Sequence, residues 1–376
     1  MPKITDSLDD WVISDYEEQG QSFLVASKKG VTYDKSLAEE GPYEKLDRNG
    51  RYLIPINYAY GSNFAFFTKK EMLDRQHREL NFKNDDVIIA AYPRAGCTWM
   101  EQIVLLVMHR GDPNALDTKT KNTYDPKANP PRNGKVLFET MFAEKSDVDM
   151  AAPWGSLCGQ DMGLTKEDIE SIPFRRLFKV HYRPHSLPGM SKAPEHGENF
   201  VKAPVDVDGV KIILLLRDPK DVALSLIRVN SINLQKGGVP LTPFLKTFLD
   251  GKLYSNDWNT YYQEWLDIVN QHPDKFLVIA YEDNITDSVG TIERVAKFLG
   301  MDLTEEEKES CRKYSAFGAM KEMSKNSKAE HVHVGKVGAW RDIYTKEVVE
   351  AFNEKLRDEK LGSYAERYIV NDFEEK

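Results

Sequence analysis

The sequence predicts an α/β protein with a central, mostly parallel sheet flanked by helices and a P-loop-like anion-binding turn at one strand end. Three observations carry this. Four short apolar runs recur with helix-patterned segments between them. Each run ends on a polar residue able to do chemistry. The turn after the first run narrows to small residues beside an arginine.

The runs are "DVIIAAYPR" (86–94), "RRLFKVH" (175–181), "KIILLLRD" (211–218) and "KFLVIAYED" (275–283). Near-continuous apolar strands are those of a parallel sheet covered on both faces. Their polar endings are Arg94, His181, Arg217 and Tyr281. Ligands of open α/β sheets bind outside the carboxyl ends of the strands, so these four residues are expected around one site. The helix after the third run is marked by Asp218 as cap, Pro219 at the first helical position and Asp221 closing a capping box.

After the first run the chain reads "AYPRAGCTWM" (91–100). Ala95 and Gly96 leave the backbone bare, Cys97 and Thr98 open an apolar helix, and Arg94 adds a full positive charge. Unpaired N–H groups and the dipole at that helix start favour an anion such as phosphate or sulfate. The loop is not a Walker A sequence, since G-x-x-x-x-G-K-[ST] is absent. Trp99 beside an anion site fits a flat ring such as adenine; the plainer alternative is a core tryptophan at a strand–helix turn.

A net charge of −9 argues against nucleic acid or an anionic membrane as main partner. The three cysteines, Cys97, Cys158 and Cys311, have neither disulfide-framework nor metal spacing and fit a reducing compartment. The acidic N-terminus lacks the regions of a signal peptide, and "IVLLVM" (103–108) is far too short to span a bilayer. A soluble, cytoplasmic protein is expected. Residues 1–50 read as a weakly periodic extension packing over a core made elsewhere, followed by a single domain over 51–376. Within it, 51–67 is an aromatic lid or edge strand, and 111–135 and 189–210 are long surface loops. "HVH" (331–333) puts two imidazoles on one face of a strand, yet no third ligand stands nearby and no metal is expected.

Five segments in order resemble the cytosolic sulfotransferases over roughly residues 50–365. They are "YPRAGCTW", "FKVHYRPHSLP" (178–188), "RDPKDVALS" (217–225), "AYEDNITD" (280–287) and "GKVGAW" with "RDIYT" (335–345). The resemblance implies the sulfotransferase fold and transfer from 3′-phosphoadenosine 5′-phosphosulfate (PAPS), releasing 3′-phosphoadenosine 5′-phosphate (PAP). By its motifs Arg94, Ala95, Gly96, Cys97 and Thr98 would hold the 5′-phosphosulfate and Trp99 would flank the adenine. Arg217, Ser225 and Gly335 would hold the 3′-phosphate; Tyr281, Ser315 and Phe317 would line the adenine pocket. His181 would be the general base, with Lys179 and Arg94 on the sulfuryl group. Lys179 alternates with His181, so both face one side of their strand.

The pattern is not followed throughout. Arg94 stands where the family has lysine, Cys97 where it has threonine, and His333-Val334-Gly335 where it has Arg-Lys-Gly; His333 or Lys336 is the available substitute for the missing cations. Arg341, Thr345 and Glu350 fall near the family's dimer motif, but Lys346 fills an apolar slot, which points to a monomer or weak homodimer. Phe138, Met141, Phe142, Trp154 and Tyr254 are the aromatic and apolar residues placed to line a small-molecule acceptor pocket or to belong to the core. Two other readings stand beside sulfuryl transfer: a catalytically silent nucleotide-binding protein, and a P-loop-like small-molecule kinase.

Overall fold

A computed structural model describes residues 4, 7–18, 21–29, 45–46, 52–59, 62–65, 70–116, 136–138, 160–161, 165–172, 175–190, 201–233, 241–253, 255–324 and 335–357. The strands are β1 (Trp11–Glu18), β2 (Gln21–Lys28), β3 (Lys45–Leu46), β4 (Tyr52–Ala59), β5 (Ser62–Ala65), β6 (Val87–Ala91), β7 (Val136–Phe138), β8 (Gln160–Asp161), β9 (Leu177–Val180), β10 (Lys211–Leu216) and β11 (Phe276–Ala280). The helices are α1 (Lys70–Glu79), α2 (Cys97–Met108), α3 (Lys166–Glu170), α4 (Pro219–Asn233), α5 (Leu241–Leu249), α6 (Trp258–Gln271), α7 (Tyr281–Thr286), α8 (Ser288–Phe298), α9 (Glu305–Ser315), α10 (Phe317–Ser324) and α11 (Lys346–Leu356). The chain forms two compact units, one of residues 71–217 and 265–335, the other of 1–70, 218–264 and 336–376.

The first of these holds a six-stranded sheet in the order β11-β10-β6-β9-β7-β8, parallel at every pairing. The four apolar runs are four adjacent strands of it, so the predicted α/β class holds. All of β6 and β9 is buried, as parallel strands covered on both faces should be. At the edge, β11 leaves Leu277 and Val278 partly exposed. Sequence reading missed β7 and β8, which have three and two residues and no apolar run long enough to register.

The amino ends of β6 and β9 are tied by a buried ion pair. Arg176 Nε donates to Asp86 Oδ1 at 2.8 Å, a second guanidinium N–H meets Asp86 Oδ2, and Val87 N donates to the Arg176 carbonyl at 2.9 Å. Burial pushes the Asp86 carboxyl up, against the lowering effect of Arg176. This fork sets which residue of β9 faces which residue of β6.

The other unit holds an antiparallel sheet, β1-β2-β4-β3, with β5 paired to β4. Residues 1–50 are therefore not merely a weakly periodic extension: their eight-residue strands β1 and β2 pair along their whole length. Trp11, Leu24 and Ala26 are buried while Val12 is 44% exposed, an alternation hidden in the sequence by the acidic residues of β1. Residues 51–67 supply two strands, β4 and β5, paired antiparallel.

The start of α4 departs from expectation in one respect. Asp218 caps it, its Oδ1 accepting from Lys220 N at 2.9 Å. Asp221 does not serve the cap; its Oδ2 accepts from Gly338 N at 2.6 Å and its Oδ1 from Trp340 N at 3.3 Å. The carboxylate thus fastens the glycine-rich turn to α4, because a buried backbone N–H needs an acceptor more than an already capped helix needs a second one. Tyr344 adds a bond from its hydroxyl to the Lys220 carbonyl at 3.0 Å, and the Lys220 ammonium and Arg341 guanidinium lie 5.2 and 4.6 Å from the Trp340 ring centre. Among the described residues no helix is long and apolar enough to cross a membrane.

Removing that acceptor strands two buried donors, at ~1–3 kcal/mol each. Asp221→Ala is expected to lower stability by about 2–6 kcal/mol, read as a fall in the urea midpoint, with Asp221→Asn recovering part of the loss.

Candidate active site

The site is built where β6, β9, β10 and β11 end. Past β6 the chain turns at 92–96, closed by Ala95 N donating to the Tyr92 carbonyl at 3.0 Å. Arg94 and Gly96 both take the left-handed conformation, with φ of 71° and 107°. Such a turn aims successive N–H groups inward and makes an anion-binding concavity. Gly96 is the N-cap of α2 and its carbonyl accepts from Trp99 N and Met100 N, so the predicted helix starts on the predicted residue.

Two strand-end residues close over this turn. A Cβ on Gly96 would lie 2.7 Å from Tyr281 Cδ2, so the tyrosine ring rests on the bare backbone. Arg217 stacks on that ring, its guanidinium carbon 4.1 Å from the centre, and donates to the Arg94 carbonyl at 2.9 Å. Trp99 meets Tyr281 edge-on at 5.6 Å between ring centres. The glycine, the tyrosine and both guanidiniums form one assembly drawn from three strand ends.

His181, immediately after β9, lies against the opposite side of the turn. Its Nδ1 is 2.8 Å from the Ala91 carbonyl and 3.8 Å from Cys97 Sγ. A carbonyl accepts, so a neutral ring carries its proton on Nδ1 and its lone pair on Nε2. Burial first, then the charges of Lys179 and Arg94, push the imidazole down to about 3, against the Ala91 bond, which raises it. Burial and Arg217 likewise lower Arg94, to about 10, leaving it charged at neutral pH. Lys179 is buried, and its Nζ lies 2.7 Å from Glu101 Oε1 on α2.

These residues fit an anionic nucleotide. Arg217 Nε and Trp99 Nε1 are buried N–H donors with no partner among the described residues, and the left-handed turn presents bare backbone at Gly96. Phe317 packs on Gly335, where a Cβ would lie 2.4 Å from the ring, and Ser315 is buried at the end of α9. Both belong to the unit that holds the turn. Among the described residues no group of three His, Cys, Asp or Glu side chains is placed to hold a metal.

The model of the sulfotransferase domain matches residues 84–364. The chain belongs to the sulfotransferase family. It is 27% identical over 310 residues to sulfotransferase 2A6 of Mus musculus, covering 79% of this chain and 91% of that protein. Among solved structures, mouse sulfotransferase SULT7A1 complexed with PAP superposes with a TM-score of 0.57 at 21% identity, over 83% of this chain and 96% of the other. Retinol dehydratase in complex with androsterone and the inactive cofactor PAP gives 0.57 at 19% identity, over 82% and 90%. Those two likenesses concern the fold.

Of the positions expected in a sulfotransferase site, Arg94, Ala95, Gly96, Cys97, Thr98, Trp99, Lys179, His181, Arg217, Tyr281, Ser315, Phe317 and Gly335 all lie in the unit that carries the parallel sheet. Ser225 and Lys336 lie in the other unit, where the exposed Lys336 ammonium faces Asp342 at 3.4 Å. Phe138 ends β7 in register with Lys179. Met141, Phe142, Trp154, Tyr254, His333 and Val334 fall outside the described residues. Arg341 stacks on Trp340, Thr345 caps α11, and Glu350 faces Lys346 at 3.9 Å. Sequence reading missed Glu101 and the Ala91 carbonyl. Glu101 did leave a signal, as an acid inside the apolar helix "CTWMEQIVLLVM".

Gly96→Ala must place a side chain at φ 107° and displace Tyr281. Strain of this kind costs ~1–3 kcal/mol. Calorimetric titration with PAP is expected to show affinity at least tenfold weaker than wild type.

Proposed function

We propose that the protein transfers a sulfuryl group from PAPS to a hydroxyl or amine of a small-molecule acceptor, with His181 as general base. The observation that carries the reading is the meeting of His181 and Lys179, at the end of β9, with the first two turns of α2, at Cys97 and Glu101. There an imidazole, an ammonium and an anion-binding turn converge.

The reaction follows from those groups. The acceptor's proton passes to the Nε2 lone pair as its oxygen or nitrogen attacks sulfur; the bond from sulfur to the bridging oxygen breaks and PAP leaves. Negative charge builds on the sulfuryl oxygens and on the bridging oxygen. Arg94, Lys179 and the N–H groups at the start of α2 meet it with donors already in place, each such donor being worth ~3–4 kcal/mol. An arriving phosphosulfate offsets Lys179 and Arg94 and raises His181 toward the range where a general base works best.

The silent nucleotide-binding alternative draws on Arg94 and Cys97, which replace the family's lysine and threonine. Against it stand the charge retained by Arg94 and the ordered His181–Ala91 bond. Retinol dehydratase held androsterone, so hydroxysteroids and retinol head an acceptor panel. Cys97 and Cys311 stand outside any disulfide, which agrees with a cytoplasmic setting.

Stabilisation in a thermal shift by PAP and not by ATP, followed by transfer of labelled sulfate from PAPS, tests the donor. His181→Ala is expected to lower kcat by 10²–10⁴-fold, the usual range for loss of a general base, while PAP still binds. Turnover near wild type would remove His181 from the role. The sign of the pH effect also follows. A base acts unprotonated, so the acid limb of kcat/KM, set by the free enzyme, should fall below pH 6, and that of kcat, set by the loaded enzyme, at higher pH.

A further inference from the structure

A helix rises about 1.5 Å per residue and a strand about 3.3 Å, so four helical residues span nearly the same length as two in a strand. The face of α2 that meets β9 uses this match. Cys97 and Glu101 stand one turn apart on α2; Lys179, on β9, and His181, just past its end, stand two residues apart along the extended chain. Cys97 Sγ lies 3.8 Å from His181 Nδ1, and Glu101 Oε1 lies 2.7 Å from Lys179 Nζ. Helix and strand therefore meet in two rungs, the outer at the mouth of the anion turn and the inner a helical turn deeper.

The inner rung is costly by itself. The Glu101 side chain is fully buried and that of Lys179 is 5% exposed. A buried ion pair often gains nothing over two apolar side chains of similar volume, and here the neighbours along α2, Ile103 to Val107, are apolar and buried. A carboxylate this close to an anion site also opposes the anion. What it provides is a fixed place for a flexible ammonium, whose long stem would otherwise be free to reorient.

We infer that Glu101 is a positioning residue for sulfuryl transfer, holding the Lys179 ammonium at the level from which it meets charge on the transferring group. This rests on the role proposed for Lys179. PAP lacks the sulfuryl group, so loss of Glu101 should slow the reaction while leaving PAP affinity nearly unchanged.

The test is a double-mutant cycle read in kcat, PAPS KM and PAP affinity. Glu101→Gln should lower kcat ~10–100-fold, in line with loss of one fixed charge donor, with KM and PAP affinity within about threefold. In a Lys179→Met background the same change should alter kcat less than twofold. Glu101→Asp, which keeps the carboxylate and is the gentler change for folding, should stay within about fivefold of wild type. Equal kcat losses from Glu101→Gln with and without Lys179, or a Glu101→Asp enzyme as slow as Lys179→Met, would overturn the inference. Lys179→Met with wild-type kcat would instead overturn the role of Lys179 itself. A slow Lys179→Met beside a fast Glu101→Gln would sink only the part given to Glu101.

Discussion

The site depends on the register of one strand. β6 is paired in parallel on both sides, Ala91 opposite Leu215 of β10 and Ala90 opposite Val180 of β9. Arg217 follows that level by two residues, His181 by one and Arg94 by three, so three strands deliver their polar residues to the same height. A slip of one residue in β9 would turn Lys179 and His181 to the opposite face, away from α2. What prevents it sits at the far end of the strands, where Asp86 and Arg176 are locked together and Val87 bonds the Arg176 carbonyl. A buried charge pair at the base of the sheet thus governs the chemistry at its rim. Breaking such a pair from one side leaves a lone buried charge, a strong penalty against alternative registers.

The rim is locally positive in a chain of net charge −9. Arg94, Lys179 and Arg217 gather there, with Glu101 paired to Lys179. The cost is visible in the neighbours: Arg94 is lowered by burial and by Arg217, His181 by burial and by Lys179 and Arg94. All of these effects favour binding an anion, because an anion removes several unfavourable terms at once. Attraction of a highly charged donor does not need a basic protein. It needs a few cations that cannot solvate themselves.

Much of this was legible in the sequence, for reasons that differ along the chain. The four core strands were readable because burial on both faces demands unbroken apolar runs such as "VIIAA" and "IILLL". Their chemical endings were readable because an open parallel sheet admits ligands only at its carboxyl edge. In β1, acidic residues such as Asp15, Glu17 and Glu18 obscure a two-residue period, and in β2, "QSFLVASK", the apolar run is only four residues long. Asp221 was assigned to a capping box because local pattern cannot register a partner 117 residues away. Glu101 went unremarked for the same reason: its meaning lies in Lys179, which only the fold brings within 2.7 Å.

Arginine at position 94, where the family has lysine, follows from the same electrostatics. The residue takes φ 71°, its carbonyl is held by Arg217, and a second guanidinium is thereby fixed beside it. Burial and that neighbour both press toward loss of charge. A guanidinium starts high enough to keep its proton, remaining at about 10. A lysine, starting from roughly 10.4, would be pressed close to the physiological range under the same influences. Lysine also offers a compact charge on a mobile stem, whereas arginine presents a planar fork that pairs in two directions at once. The exchange trades a point charge suited to one oxygen for a charge that survives in a crowded cationic site. Lys179, the remaining point charge of the pair, is buried with its ammonium 2.7 Å from Glu101 Oε1. Two cations of different kinds therefore meet at this rim: a planar guanidinium that keeps its charge at neutral pH, and a compact ammonium paired with a buried carboxylate.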